Sequence, residues 1–318
     1  MFNRDDPSTI SANMAERLAE RVAAELAARL AQPLTAGLYL VATPIGNLGD
    51  ITLNALAVMA RVDRLYCEDT RQSLKLLQRY GLEKHLDTYH EHNAERERPR
   101  IMAALAAGQS VALISDAGTP LISDPGYKLV RAAVDADHAV HAIPGASAVL
   151  AGLVGSGLPT DSFHFAGFLP HKGGQRRNRI VALAAVPGTL VVFEAPGRLA
   201  ACLADLAAGL GARTGVVGRE LTKLNETYHR GTLPELADWA AAREIKGEAV
   251  ILIGPGLATE VDDAAIVQEL EVALGEGSVR DAASAVATRL GVPRRRVYDL
   301  AIALQNGRRA TDQRPGDD

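Results

Sequence analysis

Residues 111–127, VALISDAGTPLISDPGY, decide how the fold is interpreted. They begin with an uninterrupted apolar run, VALIS, and continue as a loop of glycine, proline and small polar residues before a helical pattern starts. Such a run is typical of a strand that helices bury on both faces, as in a parallel sheet. Because ligands bind outside the carboxyl ends of parallel strands, the loop also predicts a binding site.

Three other apolar runs in the first half of the chain follow the same pattern, at 38–43, 62–67 and 140–144. Helical patterns separate the runs, and each run ends in a loop of similar composition. The sequence therefore predicts an α/β domain at 37–158, with a parallel sheet and four loops gathered at one edge.

The second half of the chain predicts a different arrangement. Five candidate strands, some of them joined by short links, indicate a second α/β domain at 159–256 with a mixed sheet. Residues 263–306 have no strand pattern and are interpreted as three helices, the last two joined like a helix-turn-helix. We expect an N-terminal extension at 1–36, with an amphipathic helix at 11–31 that packs on the body or on a partner, and a flexible tail at 307–318.

The composition limits the class of protein. The chain has 318 residues, 47% hydrophobic and 23% charged, which is ordinary for a folded protein of two domains. A formal net charge of -4 argues against a basic field over the whole molecule, although a local basic patch for nucleic acid remains compatible. Two cysteines are too few for a disulfide scaffold or a cysteine zinc site, and we expect no metal. With no secretory signal and no apolar stretch of about 20 residues, we expect a cytoplasmic protein without membrane contact.

The four loops lack the spacings of common phosphate sites. Their glycines do not follow the dinucleotide-binding spacing, and no Gly-Lys-Ser/Thr follows the first strand. A ligand with a carboxylate, a ribose and an adenine but no phosphate, such as S-adenosylmethionine, suits these loops, as do many other small molecules. Backbone N–H groups of the turn at 116–118, or a helix N-terminus at Ser147, are candidates to hold its carboxylate.

Six motifs in these loops and strands carry a family resemblance. They are LYLVATPIGNLGDIT at 38–52, CEDTR at 67–71, SDAGTPLISDPGY at 115–127, IPGASA at 143–148, GFLP at 167–170 and RELTK at 219–223. Together they resemble the tetrapyrrole methylase superfamily, and within it the branch that methylates small-subunit ribosomal RNA. The resemblance runs from about Leu38 to Pro255, and the helical end is similar to that branch's C-terminal segment. The motif at 115–127 is highly specific, whereas IPGASA alone is not.

This resemblance implies a fold and an activity. The implied fold has two α/β domains with a ligand cleft between them, plus a small helical C-terminal segment, usually in a homodimer. The implied enzyme uses S-adenosylmethionine to methylate the ribose 2′-hydroxyl of cytidine 1402 in 16S rRNA of the small ribosomal subunit.

The resemblance also assigns residues to the cofactor. Thr43 and Pro44 would line the cleft, and strands near Val217 and Ile253 would flank the adenine. The loops after the third and fourth strands would hold the methionine part, through Asp116, Gly118, Thr119, Pro120, Pro144, Gly145 and Ser147. The chain departs from the family pattern in two places: Ala166 stands where an acidic residue is frequent, and Gly197 stands where a histidine is common.

The acceptor hydroxyl needs a group that takes its proton. Carboxylates at the mouth of the loops, Glu68, Asp69 and Asp124, are candidates, and our hypothesis assigns the role to Glu68 or Asp69, with Arg71 on a neighbouring phosphate. The alternative is that Asp69 or Thr70 caps the following helix and that Arg71 pairs with it.

Two basic clusters are candidates for RNA contacts, because lysine and arginine bind phosphate without reading sequence. The first follows GFLP and the second opens the last helix; they comprise Lys172, Arg176, Arg177 and Arg179, and then Arg294, Arg295 and Arg296. Tyr127 is a candidate to stack on a base, or else to pack at a helix start.

Two alternative functions remain open from the sequence. One is a methylase of the same superfamily that acts on a small molecule such as a tetrapyrrole precursor. The other is a non-catalytic RNA-binding protein of ribosome assembly, which would not bind S-adenosylmethionine.

Overall fold

The first sheet is built from strands that follow the predicted apolar runs. In the computed structural model, which describes residues 12–256, 262–275, 278–290 and 292–312, these strands are β1 (Gly37–Val41), β2 (Arg64–Cys67), β3 (Leu86–Thr88), β4 (Ser110–Ile114) and β5 (Val140–Ile143). Every neighbouring pair is parallel, and the strand order is β3-β2-β4-β1-β5. The sequence pattern misses β3, because its three half-buried residues form no apolar run.

Helices cover both faces of this sheet, as the uninterrupted apolar strands predict. The helices in this half of the chain are α1 (Ala12–Ala31), α2 (Leu53–Arg61), α3 (Thr70–Arg79), α4 (Ala94–Ala106), α5 (Tyr127–Asp135) and α6 (Ala148–Ser156). Apolar side chains of α2 and α3 pack on one face, and those of α4 and α5 pack on the other. The sheet core therefore excludes water on both sides and leaves its edges for polar chemistry.

The helix α1 packs on the body through its C-terminal half. Its Leu26 contacts the core cluster beneath α2, and Arg29 donates a hydrogen bond to Asn54 at 3.4 Å. No residue of the helix is buried, and Leu18 and Val22 lie on the surface.

The second sheet is mixed, as expected from its short links. It contains β6 (Phe163–Phe168), β7 (Thr189–Glu194), β8 (Thr214–Arg219), β9 (Thr227–Thr232) and β10 (Ala249–Ile253), in the order β6-β7-β10-β8-β9. Only β6 and β7 are parallel among the described pairs. One face packs against α7 (Gly173–Ala184), α8 (Leu199–Leu210) and α9 (Leu233–Ala241).

The other face of the second sheet packs against α6, and the two sheets belong to one compact unit that is described from residue 12 to residue 255. Val149 and Leu153 of α6 form a buried cluster with residues of β7, β8 and β10. The hydroxyl of Tyr228 donates to the carbonyl of Ala151 at 3.1 Å, and a Cβ on Gly155 would lie 2.2 Å from that hydroxyl. A side chain at position 155 would therefore collide with Tyr228, and glycine allows α6 to pack closely against β9.

The second unit contains α10 (Asp263–Ala273), α11 (Val279–Leu290) and α12 (Arg294–Asp312), described within residues 256–318. Its own core includes Ile266, Val286 and Val297, all fully buried. The helix α12 continues into the region predicted as a flexible tail, and the rest of that tail, 313–318, lies outside the described residues. No described helix is long and apolar enough to cross a membrane.

Leu203→Ala is expected to lower the free energy of unfolding by about 2–5 kcal/mol. Leu203 is fully buried in the core beneath the second sheet, so loss of its methyl groups leaves a cavity. Leu224→Ala is the matched control, since that side chain is fully exposed, and it should change stability by less than about 0.5 kcal/mol. Urea unfolding of both variants checks the difference; equal losses would contradict the described packing.

Candidate active site

Hydrogen bonds tie the four predicted loops into one rim. A two-bond backbone bridge joins Thr43 to Gly118, with N···O distances of 2.9 and 3.0 Å, and the Thr43 hydroxyl donates to the carbonyl of Ser115 at 2.8 Å. Thr119 donates to the carbonyl of Ala146 at 3.2 Å. Asp116 accepts from the backbone N–H of Asp69 at 2.9 Å, which connects the remaining loop. The prediction that these loops meet at one sheet edge is confirmed.

The same bonds correct part of the predicted carboxylate site. The backbone N–H of Gly118 already donates to Thr43, and that of Ala117 donates to the Ser115 hydroxyl at 3.2 Å. These two groups are therefore not free to hold a ligand carboxylate, and that prediction is wrong for them. Thr43 and Pro44 are both buried, and their predicted place in the lining of the cleft stays a prediction.

Two glycines of the rim are required by space. Gly118 has φ = 87°, and a Cβ there would lie 3.2 Å from Cγ2 of Ile45. A Cβ on Gly145 would lie 2.9 Å from Cβ of Ala42. The positive φ and the contact with Ile45 favour glycine at Gly118, and the contact with Ala42 favours it at Gly145.

Backbone strain occurs at this rim and in the loop after β8. Leu121 and Ser123 have φ of 73° and 66°, a region that non-glycine residues rarely adopt. In the RELTK motif, Glu220 and Thr222 have φ of 50° and 66°. Strained residues of this kind concentrate at ligand sites, where the surrounding structure maintains them.

A cleft of about 430 Å³ lies between the two sheets. Its walls come from both halves of the first unit and are mostly apolar, with Ser123, Asp124, Glu194 and Glu248 among the exceptions; the apolar part includes Ile45, Ile122, Phe168, Phe193, Leu221 and Val250. Val217 and Ile253, which were expected to flank an adenine, are fully buried on the opposite face of the second sheet. Side chains alternate between the faces of a strand, so their neighbour Val250, and not Ile253, reaches the cleft.

A second pocket, of about 440 Å³, adjoins the cleft. Ser123 and Asp124 line both cavities and form the wall between them. Glu68, Tyr89 and Tyr127 also line the second pocket. Ligands in the two cavities would therefore be separated only by Ser123 and Asp124.

The predicted catalytic carboxylate Glu68 lies in this second pocket. Burial raises its pKa above the ordinary value for glutamate, and the nearby charges of Asp116, Asp124 and Asp69 raise it further. A raised pKa makes this carboxylate a stronger base than an exposed glutamate, and therefore better suited to take a proton near neutral pH.

Asp69 and Arg71 have the geometry of the alternative interpretation. Asp69 caps α3 by accepting from the backbone N–H of Arg71 at 2.9 Å, and the Arg71 side chain donates to it at 2.6 and 3.0 Å. These bonds to Arg71 lower the pKa of Asp69 to about 2. A carboxylate so stabilised in its charged form is a weak base, and this favours Glu68 over Asp69.

Asp124 is also engaged, because it accepts a hydrogen bond from the hydroxyl of Ser115. Burial, more than its neighbours, raises the pKa of both Asp124 and Asp116. Of the three carboxylates with raised pKa values, Asp124 lines both cavities, Glu68 lines the second pocket, and Asp116 bonds the backbone N–H of Asp69 next to Glu68. No group of three or more His, Cys, Asp or Glu side chains within the described residues is placed to hold a metal ion.

Gly197, which stands where the family commonly has a histidine, lies next to an ion pair between Glu194 and Arg198. Arg198 pairs with the buried carboxylate of Glu194 and also contacts His171. A Cβ on Gly197 would meet nothing within 4 Å, so packing does not require glycine there. Ala166, the other departure, packs against the core of the second sheet.

Arg176 is the buried member of the predicted basic cluster. It is only 8% exposed, and its guanidinium pairs with Asp205 at 2.6 and 2.7 Å. Its side chain is occupied inside the protein, so the pairing with Asp205 disfavours the predicted contact of Arg176 with RNA, which stays a prediction. Lys172, Arg177 and Arg179 are exposed on or beside α7.

Arg176→Ala is expected to lower the free energy of unfolding by about 3–5 kcal/mol, because it leaves the half-buried Asp205 without its main partner. Arg179→Ala, an exposed change in the same helix, should leave stability within about 0.5 kcal/mol and reduce the salt dependence of RNA binding. Urea unfolding and binding titrations at several salt concentrations separate the two roles. Unchanged stability in Arg176→Ala, together with a reduced salt dependence of RNA binding, would instead support a contact of Arg176 with RNA.

The second unit presents its own basic surface. Arg294 and Arg295 of α12, with Arg280 and Tyr298, line a shallow surface hollow. Arg296 differs from them, since it pairs with Asp263 at 2.8 Å. Two of the three predicted arginines therefore lie together on an open surface.

Comparison with protein families agrees with the fold and the rim. The model of the tetrapyrrole (corrin/porphyrin) methylases matches residues 37–237, which contain both sheets except β10. A second model, described as the RsmI C-terminal HTH domain, matches residues 260–305. The chain belongs to the tetrapyrrole methylase family.

Individual relatives narrow the position within the family. The chain is 52% identical over 278 residues to ribosomal RNA small subunit methyltransferase I of Mesorhizobium japonicum, covering 86% of this chain and 94% of the relative. It is 42% identical over 272 residues to the protein of the same name from Escherichia coli O157:H7, covering 84% and 95%. The chain is therefore a member of the ribosomal RNA small subunit methyltransferase I family.

A solved structure supports the fold alone. A diphthine synthase, 17% identical, superposes with a TM-score of 0.56 over 69% of this chain and 89% of that one. The architecture is therefore shared beyond the range in which sequence identity is informative.

Proposed function

We propose that the chain transfers the methyl group of S-adenosylmethionine to the ribose 2′-hydroxyl of cytidine 1402 in 16S rRNA of the small ribosomal subunit. The family assignment carries the coarser part: the chain is a ribosomal RNA methyltransferase with S-adenosylmethionine as its methyl donor. The nucleotide, cytidine 1402, and the ribose position follow from the family resemblance. The pair of adjoining cavities, one mostly apolar and one containing Glu68, supports transfer from a donor in one cavity to an acceptor in the other.

The cleft fits a methyl donor of this kind. Its volume lies within the range of small-molecule sites, and mostly apolar walls with a few polar groups are the usual lining of such sites. The close approach at Gly118 and the strain at Ser123 preserve the shape of the rim. Ile45, Ile122 and Val250 would contact the donor, and Asp124 or Glu248 would accept from its polar groups.

The chain's residues would act mainly by positioning. When bound, the donor supplies a methyl group on a sulfonium, whose sulfur leaves as a neutral thioether. Holding the hydroxyl oxygen in line with that carbon supplies much of the acceleration. Glu68 takes the proton of the 2′-hydroxyl as the oxygen attacks, so the oxygen does not carry a positive charge into the product.

Exposed basic residues would hold the RNA backbone. Lys172 and Arg179 in the first unit and Arg294 and Arg295 in the second are exposed for phosphate contacts. Arg177 is exposed too, but it lies 3.5 Å from Asp205, so a phosphate would add a partner to that pair. We place the protein in the cytoplasm and assign it a homodimer, following the family resemblance. Arg71 is held by Asp69, and a phosphate contact there would add a partner to an existing pair.

Transfer of labelled methyl groups tests the proposal. Small subunits, free 16S rRNA and a tetrapyrrole precursor are offered as acceptors, and calorimetry measures binding of S-adenosylmethionine. The proposal expects donor binding and incorporation into 16S rRNA. Absence of donor binding would favour the RNA-binding protein without catalysis, and methylation of the precursor alone would favour the small-molecule methylase.

The rate of methyl transfer is expected to fall as the pH is lowered, because Glu68 must be deprotonated to accept the hydroxyl proton. Its raised pKa places this loss at a higher pH than for an exposed glutamate. Asp116→Asn removes one of the charges that raise this pKa and keeps an acceptor for the N–H of Asp69, so the midpoint should move to lower pH. Single-turnover rates across pH measure the midpoint of the carboxylate cluster. An unmoved midpoint in Asp116→Asn would contradict this origin of the pH dependence.

A further inference from the structure

Tyr127 is an aromatic side chain without a packing role in the described structure. It is the first residue of α5, and it is 70% exposed. A residue that packed at the helix start would be largely covered, as Leu129 is in the same helix. The exposed ring instead lines the pocket that contains Glu68.

This pocket combines an aromatic wall with several carboxylates. Tyr89 is buried in its lining, and Glu68, Glu91, Glu95 and Asp124 contribute acidic side chains. Lys128 also lines the pocket, and with four carboxylates against one lysine the lining repels phosphate and attracts groups that donate hydrogen bonds. An aromatic face exposed beside such groups suits a nucleobase, because bases stack on tyrosine and are read through their edges.

Partners distinguish the four carboxylates. Glu95 pairs with Arg98 at 2.6 Å and approaches Lys128 at 3.5 Å, and Asp124 accepts from Ser115. Glu68 is the proposed base. The side chain of Glu91 has no ion-pair partner in the described part of the chain, and it is exposed to the pocket.

We propose that Tyr127 is the stacking platform for the acceptor base and that Glu91 accepts from the exocyclic amine of cytosine. A carboxylate accepts hydrogen bonds but cannot donate them, so it pairs with the N4 amine of cytosine and repels the O4 carbonyl of uracil. This arrangement selects cytidine over uridine beside the base that activates the ribose. The inference rests on the proposed function, because it presumes a nucleotide acceptor.

The platform is tested by Tyr127→Ala and Tyr127→Phe. Stacking on an aromatic ring strengthens binding by about tenfold to a hundredfold. Tyr127→Ala should therefore raise KM for small subunits by that factor, while Tyr127→Phe restores it and calorimetric binding of S-adenosylmethionine stays unchanged. Val134→Ala is the control, since it removes another exposed apolar side chain from α5. An unchanged KM in Tyr127→Ala, with an active wild-type enzyme, would overturn the platform and leave the proposed function intact.

The proposed hydrogen bond between Glu91 and the N4 amine of cytosine is tested by Glu91→Gln. The variant is assayed on reconstituted subunits that carry cytidine or uridine at the target position. The amide can donate to O4 of uracil, so the preference for cytidine should fall at least tenfold. The ratio cancels any effect on the base Glu68, which acts on both acceptors alike. An unchanged ratio would overturn the role of Glu91, and loss of donor binding in either variant would assign these residues to the cofactor instead. Inactivity of the wild-type enzyme on both subunits would count against the proposed function itself.

Discussion

Glu68→Gln is expected to lower the single-turnover rate of methyl transfer by about 10²–10⁴-fold, the usual contribution of a positioned general base. The amide keeps the size of the side chain and its polar contacts, but it cannot take the hydroxyl proton. Binding of S-adenosylmethionine should be nearly unchanged, because Glu68 lies in the pocket beside the cleft and is not among the residues that line the cleft. Rapid-quench measurement with enzyme in excess, together with calorimetry, separates the two effects.

The comparison variant is Asp69→Asn. Asparagine also caps helices, so α3 should remain formed, and only the pairing with Arg71 is weakened. We expect a loss of less than about tenfold, because the low pKa of Asp69 makes it a poor base. A larger loss in Asp69→Asn than in Glu68→Gln would transfer the role of base to Asp69. Full rates in both variants would remove the general base from the mechanism.

Gly118→Ala is expected to weaken binding of S-adenosylmethionine by about tenfold to a hundredfold and to lower activity in parallel. Alanine at this position must adopt a positive φ that residues with a side chain avoid, and its Cβ presses on Ile45, which lines the cleft. Both the N–H and the carbonyl of Gly118 bond to Thr43, so the strain moves the rim. Small displacements of positioned groups lower reaction rates by large factors.

Gly108→Ala isolates the effect of the backbone. Gly108 also has a positive φ, of 77°, but a Cβ there meets nothing within 4 Å. It should cost about 1 kcal/mol of stability, as a strained residue does, with donor affinity intact. If both variants bind S-adenosylmethionine as tightly as the wild type, the rim does not form the donor site.

The sequence predicts the parallel sheet and its loops because buried strands carry uninterrupted apolar runs. The run before Ser115 becomes β4, and the small polar residues after the strands cap helices, as Asp69 and Ser147 do. Apolar runs and helix caps depend on residues close together in the sequence, so they can be predicted without the tertiary structure. By contrast, β3 is stabilised by its neighbours in the sheet and carries no signal of its own.

What the sequence could not predict depends on contacts between distant residues. Arg176 belongs by sequence to an exposed basic run, yet Asp205, 29 positions away, holds it inside the protein. The N–H of Gly118 looks available in a glycine loop, but the carbonyl of Thr43, in the loop after β1, accepts it. For Asp69, capping and catalysis remain equal possibilities until the bonds from Arg71 are seen. The assignments of individual residues to donor, base and RNA stay predictions.

The most direct test of the central claim is mass spectrometry of 16S rRNA after incubation of unmethylated small subunits with the purified protein and S-adenosylmethionine. The account predicts one added methyl group, on the ribose of cytidine 1402, which survives as 2′-O-methylcytidine after digestion to nucleosides. A methyl group on a base or at another nucleotide, or no transfer while the donor binds, would contradict it.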